Sequence, residues 1–94
     1  MRYIDVEWIH DHDDEPVRLV SEIGPDEFEV RKIEIYRDGN VGFADKNREV
    51  GNARLGIVEV PSLTEINSQL EFRGSEISCE MFENLWSKYV PSNS

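Results

Sequence analysis

Turn chemistry limits what this chain can fold into more than any apolar run does. Gly24-Pro25-Asp26 and Arg37-Asp38-Gly39-Asn40 are two turn signals with a strand-length segment between them. Proline presets φ for the first turn, and Asp-Gly tolerates the positive φ that a hairpin reversal requires. Segments joined by such turns run antiparallel. The flanking residues agree. Ile4, Val6 and Trp8 alternate with Asp5 and Glu7, the period of a half-buried strand, while Tyr3 and Ile9 add apolar bulk on the other face. His10 to Glu15 is a polar loop ended by Pro16. Val17, Leu19 and Val20 then mark a second strand, which makes a hairpin with a long acidic connection.

Residues 27–37 read as a third, longer strand. Its apolar positions change phase from Phe28 and Val30 to Ile33 and Ile35, which demands a bulge or cover on both faces. Val41 and Phe43 begin the return strand. Residues 45–56 read as a mobile polar loop, and Ile57, Val58 and Val60 as a short final strand before Pro61.

The pattern then changes to helical. Ser62 with Glu65 is a capping box, with Leu63, Ile66 and Leu70 behind it, and Gly74 interrupts. Ser78 is the expected N-cap of the last helix, and Ile77 and Phe82 are placed as a hydrophobic staple. Phe82, Leu85, Trp86 and Tyr89 recur at helical spacing as one apolar stripe. Pro91 ends it, leaving a frayed tail over 91–94. The expected fold is therefore one α+β domain over 1–94. Its bent antiparallel sheet has about five strands, with the C-terminal helices packed on one face. Residues 1–60 are mainly strands and 61–90 mainly helical.

Charge narrows the function. The chain of 94 residues carries 20 acids and 10 bases, a net −10. More than half of the acids, but fewer than half of the bases, fall in residues 1–34. That field repels phosphates and anionic membranes and attracts basic partners, so direct nucleic-acid or membrane binding is not expected. A domain this short has a thin core and favours surface recognition over a deep, dry active site. Cys79 is the only cysteine, so an internal disulfide and a multi-cysteine zinc site are excluded. The first apolar stretch carries charge and reads as no signal peptide, and no run has the length of a membrane span. The cytosol is the expected compartment.

Several motifs carry side chains capable of chemistry. His10-Asp11-His12-Asp13-Asp14-Glu15 offers oxygen and imidazole ligands. A calcium-loop register starting at Asp11 places Asp13, Glu15 and Glu22 at ligand positions, but puts Pro16 where a sharp turn needs glycine. The loop is expected to be solvated, or an acidic contact surface. Glu7, Glu22, Glu29 and Glu34 invite pairing as an acid and a base, but in a chain this acidic such proximity carries no signal. Cys79 stands at a helix start with both histidines distant in sequence. Gly51 to Gly56 lacks the Lys-Ser/Thr ending of a phosphate loop and reads as a turn. Lys46, Arg48 and Arg54 form one basic spot beside Asp45 and Glu49. Trp8, Trp86 and Tyr89 are assigned to the core; core packing is also favoured for Tyr3 and Tyr36, with the flanks of an exposed aromatic patch inside an acidic rim as the alternative. The candidate contact residues are Asp11, Asp13, Asp14, Glu15, Asp26 and Glu27; no cofactor, metal or catalytic residue is expected.

One resemblance adds to this reading. Tyr3-Ile4-x-Val6-x-Trp8-x-His10, Pro16-Val17, the run Phe28 to Gly39, Pro61-Ser62-Leu63-x-Glu65-Ile66-Asn67 and Phe72-Arg73-Gly74 resemble a family of small bacterial proteins of unknown function. The resemblance implies proteins like the immunity partners encoded beside secreted toxins, and it carries over no catalytic residue. The expected function is thus an acidic protein-binding module, an immunity protein that neutralises a basic toxin by contact. The alternatives are a regulatory or housekeeping adaptor, homodimeric through strand edges, and a small metal-binding protein or enzyme using the His10–Glu15 loop.

Overall fold

The computed structural model describes residues 1–91; the remainder of the expected tail, 92–94, lies outside the described residues. Six strands and two helices follow in the order β1 (Arg2–Trp8), β2 (Arg18–Ile23), β3 (Glu29–Ile35), β4 (Val41–Ala44), β5 (Glu49–Val50), α1 (Leu63–Asn67), β6 (Phe72–Ile77) and α2 (Cys79–Tyr89). All strand pairs are antiparallel, in the spatial order β5-β4-β3-β2-β1-β6. The fold is α+β, as expected, with six strands rather than about five.

The turns act as their residues dictate. In the β3–β4 hairpin the Tyr36 N–H donates to the Asn40 carbonyl at 2.9 Å, and Gly39 takes a φ of 91°. Only Gly39 adopts positive φ, so this is a three-residue turn rather than a two-residue one. The β2–β3 hairpin has the same build: Gly24 N–H donates to the Phe28 carbonyl at 2.9 Å, with Pro25 inside the turn. The position that Gly39 fills there belongs to Glu27, held at a φ of 71°. The phase change in β3 is a bulge. Glu22 pairs with Arg31 but Ile23 pairs with Glu29, leaving Val30 as the extra residue.

Three expectations are corrected. Phe72–Ile77 is an edge strand beside β1, not part of a helical half. Residues 57–60 form no strand, and Ile57 is 90% exposed. The stretch 45–56 holds β5, reached through a turn in which the Asp45 carboxylate accepts the Asn47 and Arg48 N–H groups at 2.9 and 2.8 Å. Arg48 and Arg54 lie near Asp45 and Glu49 at 3.2 and 3.5 Å, so two of the three cations of the basic spot pair within it.

Connectivity explains the layers. The chain leaves β5 at one sheet edge and must reach β6 at the other. Residues 51–71, including α1, therefore cross one face, and α2 returns over the opposite face. Both helices pack on the sheet, but they divide between its faces rather than sharing one. Phe82 is fully buried from α2 against Val20, Ile33 and Phe43. Ile66 and Leu63 from α1 meet Ile4, Val6 and Ile23. Ser62 and Ser78 cap the helices, accepting from the Glu65 and Met81 N–H groups as their spacing implies. Leu70 falls beyond α1 and is 99% exposed, so it does not extend that helix's apolar face. Gly74 is a strand glycine: a Cβ there would meet Leu63 Cδ2 at 2.8 Å, so its absence lets α1 sit directly on β6. Among the described residues no helix is long and apolar enough to cross a membrane.

Candidate functional site

The six candidate contact residues separate into two groups at opposite ends of β2. Asp11, Asp13, Asp14 and Glu15 lie in the β1–β2 connection and are all exposed. That connection is held in shape. The His12 N–H donates to His10 Nδ1 at 3.0 Å, so the ring proton sits on Nε2, which lies 2.8 Å from the Pro16 carbonyl oxygen. The His10 ring packs edge-on against Trp8, centroids 4.6 Å apart. From the β3–β4 turn Arg37 donates to the His10 carbonyl at 2.5 Å and reaches Asp13 at 3.4 Å. Asp11, Asp14 and Glu15 form no ion pair with another described residue.

Asp26 and Glu27 are at the other end and serve the β2–β3 turn. Asp26 accepts the Phe28 N–H at 3.1 Å. Glu27 pairs with Arg2 at 2.8 Å, and its carbonyl accepts the Val60 N–H at 2.7 Å. These contacts hold a non-glycine residue at positive φ, a conformation that costs about 1–3 kcal/mol. Glu27 is committed to the fold, and the two acid groups make no common surface.

Asp14 and Glu15 instead form the lip of a cleft on the sheet face that α1 partly covers. Its volume is about 440 Å³, and Trp8, Tyr36, Glu34 and Lys32 also line it. Strand parity builds it: Lys32, Glu34 and Tyr36 alternate with Ile33 and Ile35 and project from the same face of β3 as Trp8 does from β1. The Tyr36 hydroxyl is raised above its ordinary value by burial first, then by Glu34, Glu15 and Asp14, while a hydrogen bond with Asn52 opposes the rise. The Trp8 indole Nε1 is buried and meets no acceptor among the described residues.

Past Leu19 and Lys32 the cleft adjoins an apolar cavity of about 220 Å³ between Ile4, Val6, Val60, Ile66 and Phe72. Its polar floor is internally satisfied. Lys32 Nζ lies 3.3 Å from Glu29 and 3.5 Å from Glu34. Glu29 also accepts from Ser21 Oγ at 3.1 Å and from the Gly56 N–H at 2.6 Å. A larger hollow, about 590 Å³, opens between Arg48, Lys88 and Pro91, where the described residues end.

The other motifs resolve as structure. Glu22, which the calcium-loop register would have made a ligand, is buried on the α2 face and bonded to Arg31 at 2.6 Å. Among the described residues no three His, Cys, Asp or Glu side chains converge as a metal-binding group. Cys79 opens α2 and is exposed. Its hydrogen bond to Tyr3 is the first cause that raises the Tyr3 hydroxyl. Tyr3 itself packs on Phe82 at 5.3 Å and so does not share a patch with Tyr36. Sequence reasoning named the loop acids as candidates, gave Tyr36 a surface patch only as an alternative to the core, assigned Trp8 to the core, and did not single out Lys32. The available signal was parity: Lys32, Glu34 and Tyr36 are polar or amphipathic at every second position.

The chain belongs to the family described as a domain of unknown function (DUF6881), whose model matches residues 2–91. No curated protein and no solved structure matches the chain.

Proposed function

We propose that this chain is a non-catalytic protein-binding module, an immunity partner that neutralises a basic bacterial toxin by direct contact. One observation carries the reading: Asp14 and Glu15 stand exposed, with no cationic partner among the described residues, at the lip of a cleft, on a loop that His10 and Arg37 hold in place. A fixed acidic rim speeds encounter with a basic surface and loses little entropy on binding. The net charge of −10 acts in the same direction at longer range. Dimerisation through a strand edge is the weaker reading, because Asn67 already bonds both the N–H and the carbonyl of Gly74 on edge strand β6, at 2.6 and 3.0 Å.

The test is capture from the source organism with the tagged full chain, beside a variant carrying Asn or Gln at Asp11, Asp13, Asp14 and Glu15. The wild-type chain should retain a basic protein that the variant retains poorly. Expression of that protein alone should arrest growth, and co-expression of the chain should restore it. Equal capture by both chains, or growth that the chain does not rescue, contradicts the reading.

A further inference from the structure

Resting on that reading, we propose that the cleft at Trp8 and Tyr36 anchors one cationic side chain, arginine or lysine, of the partner. The cavity beside it takes a neighbouring apolar side chain of the same segment. Two aromatic rings and three carboxylates, Asp14, Glu15 and Glu34, bound the cleft. Aromatic faces attract a guanidinium or ammonium group, and carboxylates complete its hydrogen bonding.

The molecule already contains this arrangement, filled by its own arginine, on the opposite face. Arg31 lies 4.9 Å from the ring centroids of both Phe82 and Trp86, and bonds to Glu22 and Glu83 at 2.6 and 2.9 Å. The cleft repeats those ingredients with no arginine of this chain inside. Lys32 does not take that place, since its ammonium is matched to Glu29 and Glu34 at the cleft floor. Asp14 and Glu15 then leave the rim with uncompensated negative charge, which disfavours an anionic occupant. A volume of about 440 Å³ is within the usual range of ligand sites. The second anchor follows from Leu19 and Lys32, which line both cavities and make them neighbours. Ile4, Val6, Val60, Ile66 and Phe72 give that cavity an apolar lining suited to a side chain such as leucine.

Amide spectra of the isotope-labelled full chain test the site without the partner. The probe is acetyl-Leu-Gly-Arg-amide, with peptides carrying Glu or norleucine in place of Arg as controls. The Arg peptide should shift the Trp8 indole, Tyr36 and Leu19 signals and saturate in the millimolar range. The norleucine peptide should bind about tenfold more weakly, and the Glu peptide should leave these signals in place. Asp14→Asn with Glu15→Gln should weaken the Arg peptide about tenfold at unchanged melting temperature, and Tyr36→Ala provides a second, uncharged disruption. Equal binding of the Arg and Glu peptides, or shifts confined to other surfaces, overturns the inference. If the Arg peptide misses the cleft while a basic toxin is captured and neutralised, the inference fails and the immunity reading stands. If the peptide binds but no basic protein is ever captured, the assignment to a protein partner fails instead.

Discussion

The two faces of one sheet are finished in different ways. On the α2 face, Phe82 is fully buried, Trp86 stacks on it at 6.0 Å, and Arg31 ties the sheet to Glu83 on the helix. The aromatic rings and carboxylates around Arg31 are engaged within the chain there. On the other face α1 has five residues, and the crossing segment covers only part of β1 to β3. A cleft remains, with aromatic walls and an acidic rim. Both faces carry a buried cluster, but the α1 face also keeps an open cleft. The same residue types serve both faces, and what separates them is whether a helix of the chain arrives to cover them.

The largest expected effect is on the α2 face. Phe82→Ala should cost about 3–5 kcal/mol, and Trp86→Ala, less deeply buried, should fall at the lower end of that range. Small domains have only about 5–15 kcal/mol in total, so denaturant melts should show Phe82→Ala largely unfolded under mild conditions. If either variant melts like wild type yet loses its partner, the division between the faces is wrong.

Next comes Gly74→Ala, which forces a methyl group to within 2.8 Å of Leu63 Cδ2. Because the far end of the Leu63 side chain can turn aside, it should cost only about 1 kcal/mol by overpacking, and the disturbance should be confined to α1, β6 and Val6 of β1. Hydrogen exchange should show faster opening there, with α2 unchanged. Equal loosening of both helices would show that the layers fold as one unit.

A smaller effect tests the Arg31 tie. Glu83 is held below its ordinary value by the hydrogen bonds from Arg31, with burial opposing. A carboxyl lowered in the fold binds its proton more weakly there than in the unfolded chain. Its contribution is therefore complete above the ordinary value of 4.5 and is lost as pH falls through the lower folded value. Because Glu83 is half exposed, the contribution should be under about 1 kcal/mol. Glu83→Gln should lower the melting temperature slightly at neutral pH and converge with wild type in acid, so that the acid limb of the profile is flatter. An acid limb as steep as that of wild type would remove the tie from the account.

The smallest effect on stability is expected at the rim. Neutralising Asp11, Asp13, Asp14 and Glu15 should change unfolding free energy by no more than about 0.5 kcal/mol. The same change should slow association with a basic partner more than it speeds dissociation, and should flatten the salt dependence of the on-rate. Unchanged rates in a salt series would leave the acidity with a role in solubility alone.

How far these features were legible in the sequence follows from where their information lies. Turns and caps are local, so Gly39, Pro25, Ser62 and Ser78 announced them. The helical stripe from Phe82 to Tyr89 was legible for the same reason. Strand β6 was not, because Phe72-Arg73-Gly74-Ser75-Glu76-Ile77 has little apolar contrast and a glycine at its centre. Its identity depends on Val6 and Leu63, far away in the chain, which need that glycine. The division of the helices between two faces also required the register of β1, where Tyr3 and Ile4 point to opposite cores. The cleft combines residues from the first loop, β1, β3 and the crossing segment. The sequence indicated its acids and raised Tyr36 beside them, but not Trp8 or Lys32. It also grouped Asp26 and Glu27 with the loop acids by charge, although Arg2 and the turn geometry had already engaged them.

Hydrogen exchange of the complex with the captured basic protein tests the central claim most directly. Binding should slow exchange in the β1–β2 connection around Asp14 and Glu15, at Tyr36, and along residues 51–61 and α1. The amides of α2 should exchange as in the free chain. Protection concentrated on the exposed side of α2, with the cleft and its rim unchanged, would contradict the account.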